Sequence, residues 1–167
     1  EGTHSISDER LAKFLQDLLA NPGAMQINDD AGLFSLAGAQ PKKAISWVNG
    51  KWREPRGRTP STHIIKPPIP HLQGQVENEH FCLRLAQACG IPTSRSEVVT
   101  IGGKPNIVIE RYDRRRVERG RTLALTKPGG TVVRLHQEDM CQALGISSHL
   151  KYQSDGGPGI AEIMRLL

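Results

Sequence analysis

Lys43-Ala44-Ile45-Ser46-Trp47-Val48-Asn49-Gly50-Lys51-Trp52-Arg53 decides the fold class of this 167-residue chain. Lys43 to Val48 is rich in residues that favour strands. The Asn49-Gly50 pair after it is the strongest short-range hairpin signal, because both positions of a tight type I′ turn need a positive φ. Lys51-Trp52-Arg53 then starts a return strand. A two-residue turn joins antiparallel neighbours, so the chain is predicted to contain an antiparallel sheet.

Immediately upstream lies Ser35-Leu36-Ala37-Gly38-Ala39-Gln40-Pro41-Lys42, between the apolar runs Gly32-Leu33-Phe34 and Ala44 to Val48. Small residues with a glycine let a backbone approach a ligand closely with its amide N–H groups exposed. A hydroxyl at the front and the ammonium groups of Lys42 and Lys43 at the back suit phosphate. The stretch lacks the G-x-x-x-x-G-K-[ST] pattern of a Walker A loop. Taken alone, it fits either a tight polar turn or a phosphate-binding loop.

Further out, Ser5 to Leu19 reads as a helix with Ser7 as N-cap and an apolar stripe of Leu11, Phe14, Leu15, Leu18 and Leu19, stopped by Asn21-Pro22-Gly23. After a loop from Pro55 to Pro60, Thr62-His63-Ile64-Ile65-Lys66 is a short strand ended by prolines. Val76 to Cys89 is a second helix. Phe81, Leu85 and Ala88 mark its apolar side, Cys82 and Cys89 share a face, Glu77 and Glu79 lie in its first turn, and Gly90 closes it. Ser96 to Ile101 and Ile107 to Ile109 are strands around a Gly102-Gly103 turn, and Val132 to Leu135 is strand-like. Arg114 to Arg121 holds five arginines and reads as a solvated loop. Gln137 to Leu144 and Ile160 to Leu167 are helical, separated by the glycine-rich Lys151 to Gly159. The pattern gives an α+β fold, mainly antiparallel sheet, with helices packed on one side.

The formal charge of +5 favours an anionic partner: nucleotide, nucleic acid or an acidic protein surface. Three cysteines without CxxC spacing argue against a disulfide framework and a zinc site, and point to a reduced, cytoplasmic setting. No apolar run reaches membrane-spanning length, and the histidines form no metal-ligand pattern. Asp155-Gly156-Gly157-Pro158-Gly159 lacks EF-hand spacing and reads as a structural turn.

The loop, Lys66 and Glu79 form a set. A kinase-like lobe needs a small-residue loop over the phosphates, a strand lysine on the nucleotide and a helix carboxylate to hold that lysine. Glu110-Arg111-Tyr112, leaving a buried strand, occupies the place where such a lobe carries its hinge. Each residue alone also fits an ordinary role, as a strand-terminal lysine, a helix-favouring acid or a charged strand end. The order of the set favours the joint reading.

Ser35 to Lys42, Thr62 to Lys66, Glu77-Asn78-Glu79, Glu110 to Arg114, Leu135 to Gln142 and Lys151 to Gly159 together resemble the HipA toxin kinases, the Ser/Thr kinases of HipBA-type toxin–antitoxin modules. The resemblance implies a protein-kinase-like fold, with residues 31–167 as a kinase amino-terminal lobe behind a helical lead-in over residues 1–30. It implies ATP as nucleotide, held by Ala37, Gly38, Ala39, Gln40, Pro41, Lys42 and Lys66, with Glu79 as the partner of Lys66 and Glu110, Arg111 and Tyr112 as hinge. Ser35 matches the serine that family members autophosphorylate, a modification that adds about two negative charges beside the phosphate site. The family's D-G-H-x-K-N catalytic loop does not occur, and Pro41 stands where a polar or acidic residue is expected. Catalytic residues and Mg²⁺ ligands are therefore expected beyond Leu167, and the isolated piece is expected to lack phosphotransfer. The resemblance also implies a HipB-like DNA-binding antitoxin, a protein substrate such as an aminoacyl-tRNA synthetase, a role in growth arrest and persistence, and no membrane partner. An antitoxin- or DNA-docking module without catalysis is the alternative reading, and a domain without nucleotide affinity is the third.

Overall fold

The computed structural model describes residues 2–20 and 40–167. The chain divides into two compact units, Glu1–Arg134 and Leu135–Leu167. The predicted boundary between residues 30 and 31 lies outside the described residues, as does the Asn21-Pro22-Gly23 stop.

In the larger unit, β1 (Thr3–Ser5) precedes α1 (Asp8–Ala20), and β2 (Lys43–Val48) and β3 (Lys51–Pro55) form the predicted hairpin. Asn49 and Gly50 take φ of 51° and 78°, the left-handed pair that a two-residue turn of this hand requires. Then follow β4 (His63–Lys66), α2 (Gln75–Ala88), β5 (Ser96–Ile101) and β6 (Lys104–Glu110). These strands make one six-stranded sheet in the order β1-β3-β2-β4-β6-β5. Every pairing in it is antiparallel. Thr3 to Ser5 adds an edge strand to β3, so the helix starts three residues later than predicted; Ser7 caps it by accepting the Arg10 amide at 3.2 Å.

Antiparallel partners share a face, so the register sorts the sheet. Ile65 pairs Val108 and Lys43, and His63 pairs Ile45 and Glu110. On that face Ile45, Ile65 and Val108 form the core with Leu11, Leu15 and Leu18 of α1, and Phe14, Trp52, Val99 and Ile101 pack around them. Each fully buried aliphatic side chain contributes about 1.5–3 kcal/mol. At Gly102 an added Cβ would lie 2.9 Å from the Ala12 Cβ, so the β5–β6 turn needs glycine where it meets α1. The opposite face carries Ala44, Ile64, Ile109, Lys66 and Ile107, and α2 lies there along β5 and β6. The helices therefore cover both faces rather than one, because β4 alternates an apolar Ile65 with a charged Lys66 that recruits its own helix.

Helix α2 departs from its predicted packing. Val76 is its buried residue, whereas Phe81 and Leu85 are exposed, as are Cys82 and Cys89. The helix ends as predicted: Gly90 N–H donates to Gln87 O and Ile91 N–H to Ala86 O, a Schellman closure.

The arginine run is not a solvated loop. It forms β7 (Arg114–Glu118) and enters β8 (Arg121–Leu123), which with β9 (Thr131–Arg134) makes a second sheet in the order β8-β7-β9. Arg114 and Arg116 are buried. Arg116 Nε donates to Leu125 O at 3.2 Å and Nη1 to Gly129 O at 2.7 Å, so its fork ties down the turn between β8 and β9. Carbonyl oxygens absorb these cations, which a pattern of charges alone does not reveal.

The smaller unit holds α3 (Met140–Ala143) and α4 (Ile160–Leu166) with two short 3₁₀ turns between them. Helix α3 is shorter than predicted because Asp139 caps it: the carboxylate accepts Gln142 N–H at 2.8 Å and Gln142 Oε1 accepts Asp139 N–H at 2.9 Å, a capping box.

Two buried groups of the larger unit yield predictions. The Thr62 hydroxyl accepts Trp47 N–H at 2.9 Å and lies 2.7 Å from His63 Nδ1. The two groups share one short hydrogen bond inside the core. Burial lowers the His63 pKa from 6.5 to about 4. The unfolded chain takes up this proton before the folded chain does, so stability is lost as pH falls from 6.5 toward 4. Chemical denaturation of the chain and of His63→Gln at pH 7 and pH 4.5 should show the acid-induced loss reduced by about 2 kcal/mol in the variant. An equal loss in both would rule His63 out as its source. Arg116→Lys cannot reach both carbonyls with one ammonium and should cost about 1–3 kcal/mol in the same assay; an unchanged midpoint would contradict the tie.

Candidate functional site

Lys66 ends β4 on the face away from α1. Its Nζ donates to Glu79 Oε1 of α2 at 2.5 Å, with side chains 19% and 26% exposed. Helix α2 begins at Gln75, one residue before the predicted Val76, so Glu79 lies just past the first turn rather than in it. The added residue makes a second contact: Gln75 Nε2 donates to the other carboxylate oxygen, Oε2, at 3.1 Å. One turn of helix spaces Gln75 and Glu79 on the same side, and the amide fixes the carboxylate plane presented to the lysine. Sequence reasoning missed Gln75; its i, i+4 spacing to Glu79 was the available signal. Behind the contact, His80 Nδ1 meets Ser96 Oγ of β5 at 2.8 Å and anchors the same helix to the sheet.

Beside Lys66, on the same face, Ala44, Ile64 and Ile109 are direct cross-strand partners and all are half-buried. They form a flat apolar row next to a cation. An ammonium has three donors, and one is spent on Glu79. The arrangement can thus accept a flat apolar ring on the row and an anionic oxygen at the lysine.

Gln40, Pro41 and Lys42 are half-buried and lead into β2. Lys43, grouped by sequence with Lys42 as a phosphate ammonium, belongs to the α1 face. Its Nζ donates to Glu54 Oε1 at 2.6 Å and lies 3.4 Å from the Phe14 ring centroid. Burial pushes the Glu54 carboxyl up, but Lys43, aided by Arg10 and Arg56, holds it below the usual carboxylate range. Strand alternation turned Lys43 away and spent its charge. Ser35, Ala37, Gly38 and Ala39 lie outside the described residues.

Glu110 ends β6, and its amide donates to Arg95 O at 2.8 Å; the Arg111 amide donates to Thr62 O at 2.9 Å. Tyr112 is exposed. The Arg111 guanidinium is bound to Asp113 and Ser61, so its charge is internal.

A cavity of about 520 Å³ opens at the strand ends near Glu110, lined by Trp47, Trp52, His63, Arg95 and Glu97. It does not include Lys66 or Glu79. The Lys66 face has the better-defined chemistry. Among the described residues, no group of three or more His, Cys, Asp or Glu side chains is placed to hold a metal ion. Among them also, no helix is long and apolar enough to cross a membrane.

Comparison with known proteins shows the family and the fold. The family described as HipA-like C-terminal domain matches residues 34–167. A protein of Sinorhizobium fredii named "Putative kinase Y4mE" is 42% identical over 133 residues, which cover 80% of this chain and 29% of that protein. The serine/threonine-protein kinase toxin HipA of Shewanella oneidensis is 34% identical over 156 residues, covering 92% of this chain and 33% of that one. A solved chain from the Shewanella oneidensis complex of HipA, HipB and operator DNA superposes with a TM-score of 0.65 at 29% identity, over 97% of this chain and 35% of that chain. The chain spans about a third of the length of these relatives. Its antiparallel sheet with few helices is similar to the HipA structure, a protein-kinase-like fold. This chain belongs to the HipA-like C-terminal domain family.

Proposed function

We propose that this chain is the ATP-binding lobe of a HipA-like serine/threonine-protein kinase toxin. The observation that carries the reading is the Lys66–Glu79 pair beside an apolar cross-strand row on one face of the sheet. In a kinase-like lobe such a pair holds the nucleotide phosphates through the lysine, with the helix carboxylate keeping the lysine in place. Adenine would lie on Ala44, Ile64 and Ile109, with its polar edge at the hinge Glu110 to Tyr112. The phosphates would meet Lys66 and the stretch Ala37, Gly38, Ala39, Gln40, Pro41 and Lys42. Arg111 would serve through its backbone, since its side chain is paired internally.

The phosphotransfer machinery and the carboxylates for Mg²⁺ are assigned to the two-thirds of the relatives' length that this chain does not span, so the piece alone binds nucleotide without transferring phosphate. Autophosphorylation of Ser35 would place about two negative charges beside the phosphate stretch and disfavour ATP. The proposed setting is cytoplasmic, with a HipB-like antitoxin as partner. That partner is supported by the solved complex in which HipA is assembled with HipB and operator DNA. A protein substrate such as an aminoacyl-tRNA synthetase, and a role in growth arrest and persistence, complete the proposal. The docking-module alternative is weakened by the arginine run: Arg114 and Arg116 are buried and bonded internally, which removes two cations from any surface offered to DNA.

Equilibrium binding of an ATP analogue tests the reading. Lys66→Met should weaken binding at least about tenfold, and Glu79→Gln about threefold to tenfold through loss of the charge-assisted bond, at unchanged far-UV dichroism. Wild-type affinity in Lys66→Met would sink the proposal. Salt-sensitive DNA binding by the chain, with no nucleotide affinity, would favour the docking module instead.

A further inference from the structure

The segment between β6 and β7 is only Arg111-Tyr112-Asp113, yet it carries a dense set of internal hydrogen bonds. Arg111 Nε and Nη2 grip the two carboxylate oxygens of Asp113 at 2.9 and 2.7 Å, and Nη1 donates to Ser61 Oγ at 3.0 Å. Arg114 closes on the same carboxylate, with Nη1 at 2.7 Å from Oδ2 and 2.8 Å from Asp113 O, while its Nε donates to Ser61 O at 3.1 Å. The side chains of Arg111, Asp113 and Arg114 are 11%, 13% and 4% exposed. Burial pushes the Asp113 carboxyl up, but the two guanidinium groups hold it below the usual carboxylate range.

A buried ion triad is weak as a stabilising device, because desolvation offsets most of the attraction. Geometry is what it supplies. Tyr112 sits between Arg111 and Asp113, whose side chains are locked to each other with Arg111 also bound to Ser61, while Tyr112 itself is 68% exposed. The amides on the β6 side are consumed, Glu110 by Arg95 O and Arg111 by Thr62 O. The cluster thus orders the backbone at Tyr112 without burying the residue.

We propose that Arg111, Asp113 and Arg114, braced by Ser61, are positioning residues that hold the Tyr112 backbone as the edge that reads the base of the nucleotide, and so set adenine over guanine preference. This rests on the nucleotide-site reading above. A rigid donor–acceptor edge costs no ordering entropy when the base arrives, and it penalises a base whose polar edge is reversed. Phosphate affinity, carried at Lys66, is independent of it.

The test measures equilibrium binding of ATP, GTP and inorganic tripolyphosphate to the chain, to Arg111→Lys, which loses the bidentate grip, and to Ser61→Ala, which loses only the bond from Arg111 Nη1 to the hydroxyl. Arg111→Lys should weaken ATP about tenfold and narrow the ATP-over-GTP ratio, with tripolyphosphate changed less than about twofold; Ser61→Ala should move the same way by about threefold. Thermal unfolding checks both, and if Arg111→Lys does not fold, Ser61→Ala decides. Equal loss of ATP and tripolyphosphate, or an ATP-over-GTP ratio unchanged in variants that still bind ATP, overturns the positioning role alone. Absence of ATP binding by the unaltered chain removes the nucleotide-site reading, and this inference with it.

Discussion

Alternation along the four residues His63-Ile64-Ile65-Lys66 governs the larger unit. Ile65 points to the leucines of α1, and Lys66 to the carboxylate of α2. Shifting β4 by one residue would put the ammonium against Leu11 and Leu15 and leave an isoleucine facing Glu79, so the register is fixed from both sides at once. Because β4 lies between β2 and β6, its register propagates outward. Lys43 must join Ile65 on the α1 face, where Glu54 and Phe14 receive it, and Ala44 must join Ile64 on the other.

The same logic explains how a chain with an excess of cations packs a core of few aromatics. Lys43, Arg111, Arg114 and Arg116 each give up water for a carboxylate or a set of carbonyl oxygens. An arginine fork spans two acceptors that no hydrocarbon side chain could satisfy, so it stitches irregular backbone where a strand ladder ends. Arg116 does this for the β8–β9 turn and Arg114 for the loop before β4. The net charge of the sequence therefore overstates the cationic surface.

Local rules made part of this legible in the sequence. Asn49-Gly50 specified its hairpin, the leucine spacing specified α1 and its buried face, and Gly90 ended α2, because each depends on neighbours within a few residues. The Lys66–Glu79 pair was readable as a candidate from order alone, since thirteen residues separate them and a strand–helix step brings them together. What failed was whatever depends on distant partners. Arg114 and Arg116 resembled members of a solvated loop because acceptors such as Ser61 O, Leu125 O and Gly129 O are main-chain atoms that leave no trace in composition, whereas Arg115, Arg119 and Arg121 are indeed exposed. Phe81 and Leu85 resembled core because helical periodicity reports an apolar face and not what covers it.

Thr62 shows how closely the sheet and the candidate site are joined. Its amide donates to Ile45 O and its carbonyl accepts the Arg111 amide; its hydroxyl accepts Trp47 N–H and meets His63 Nδ1. Each polar group of this fully buried residue is therefore used, and the partners lie in β2, in β4 and in the segment after β6. The hydroxyl continues the β2 ladder one step before the start of β4, and the carbonyl passes the same alignment to Arg111. Position at the proposed hinge is thus inherited from the central strand pair. A substitution that loosened Thr62 would disturb the α1-face core and the proposed hinge together, whereas one at Lys66 would reach the proposed phosphate contact and spare both.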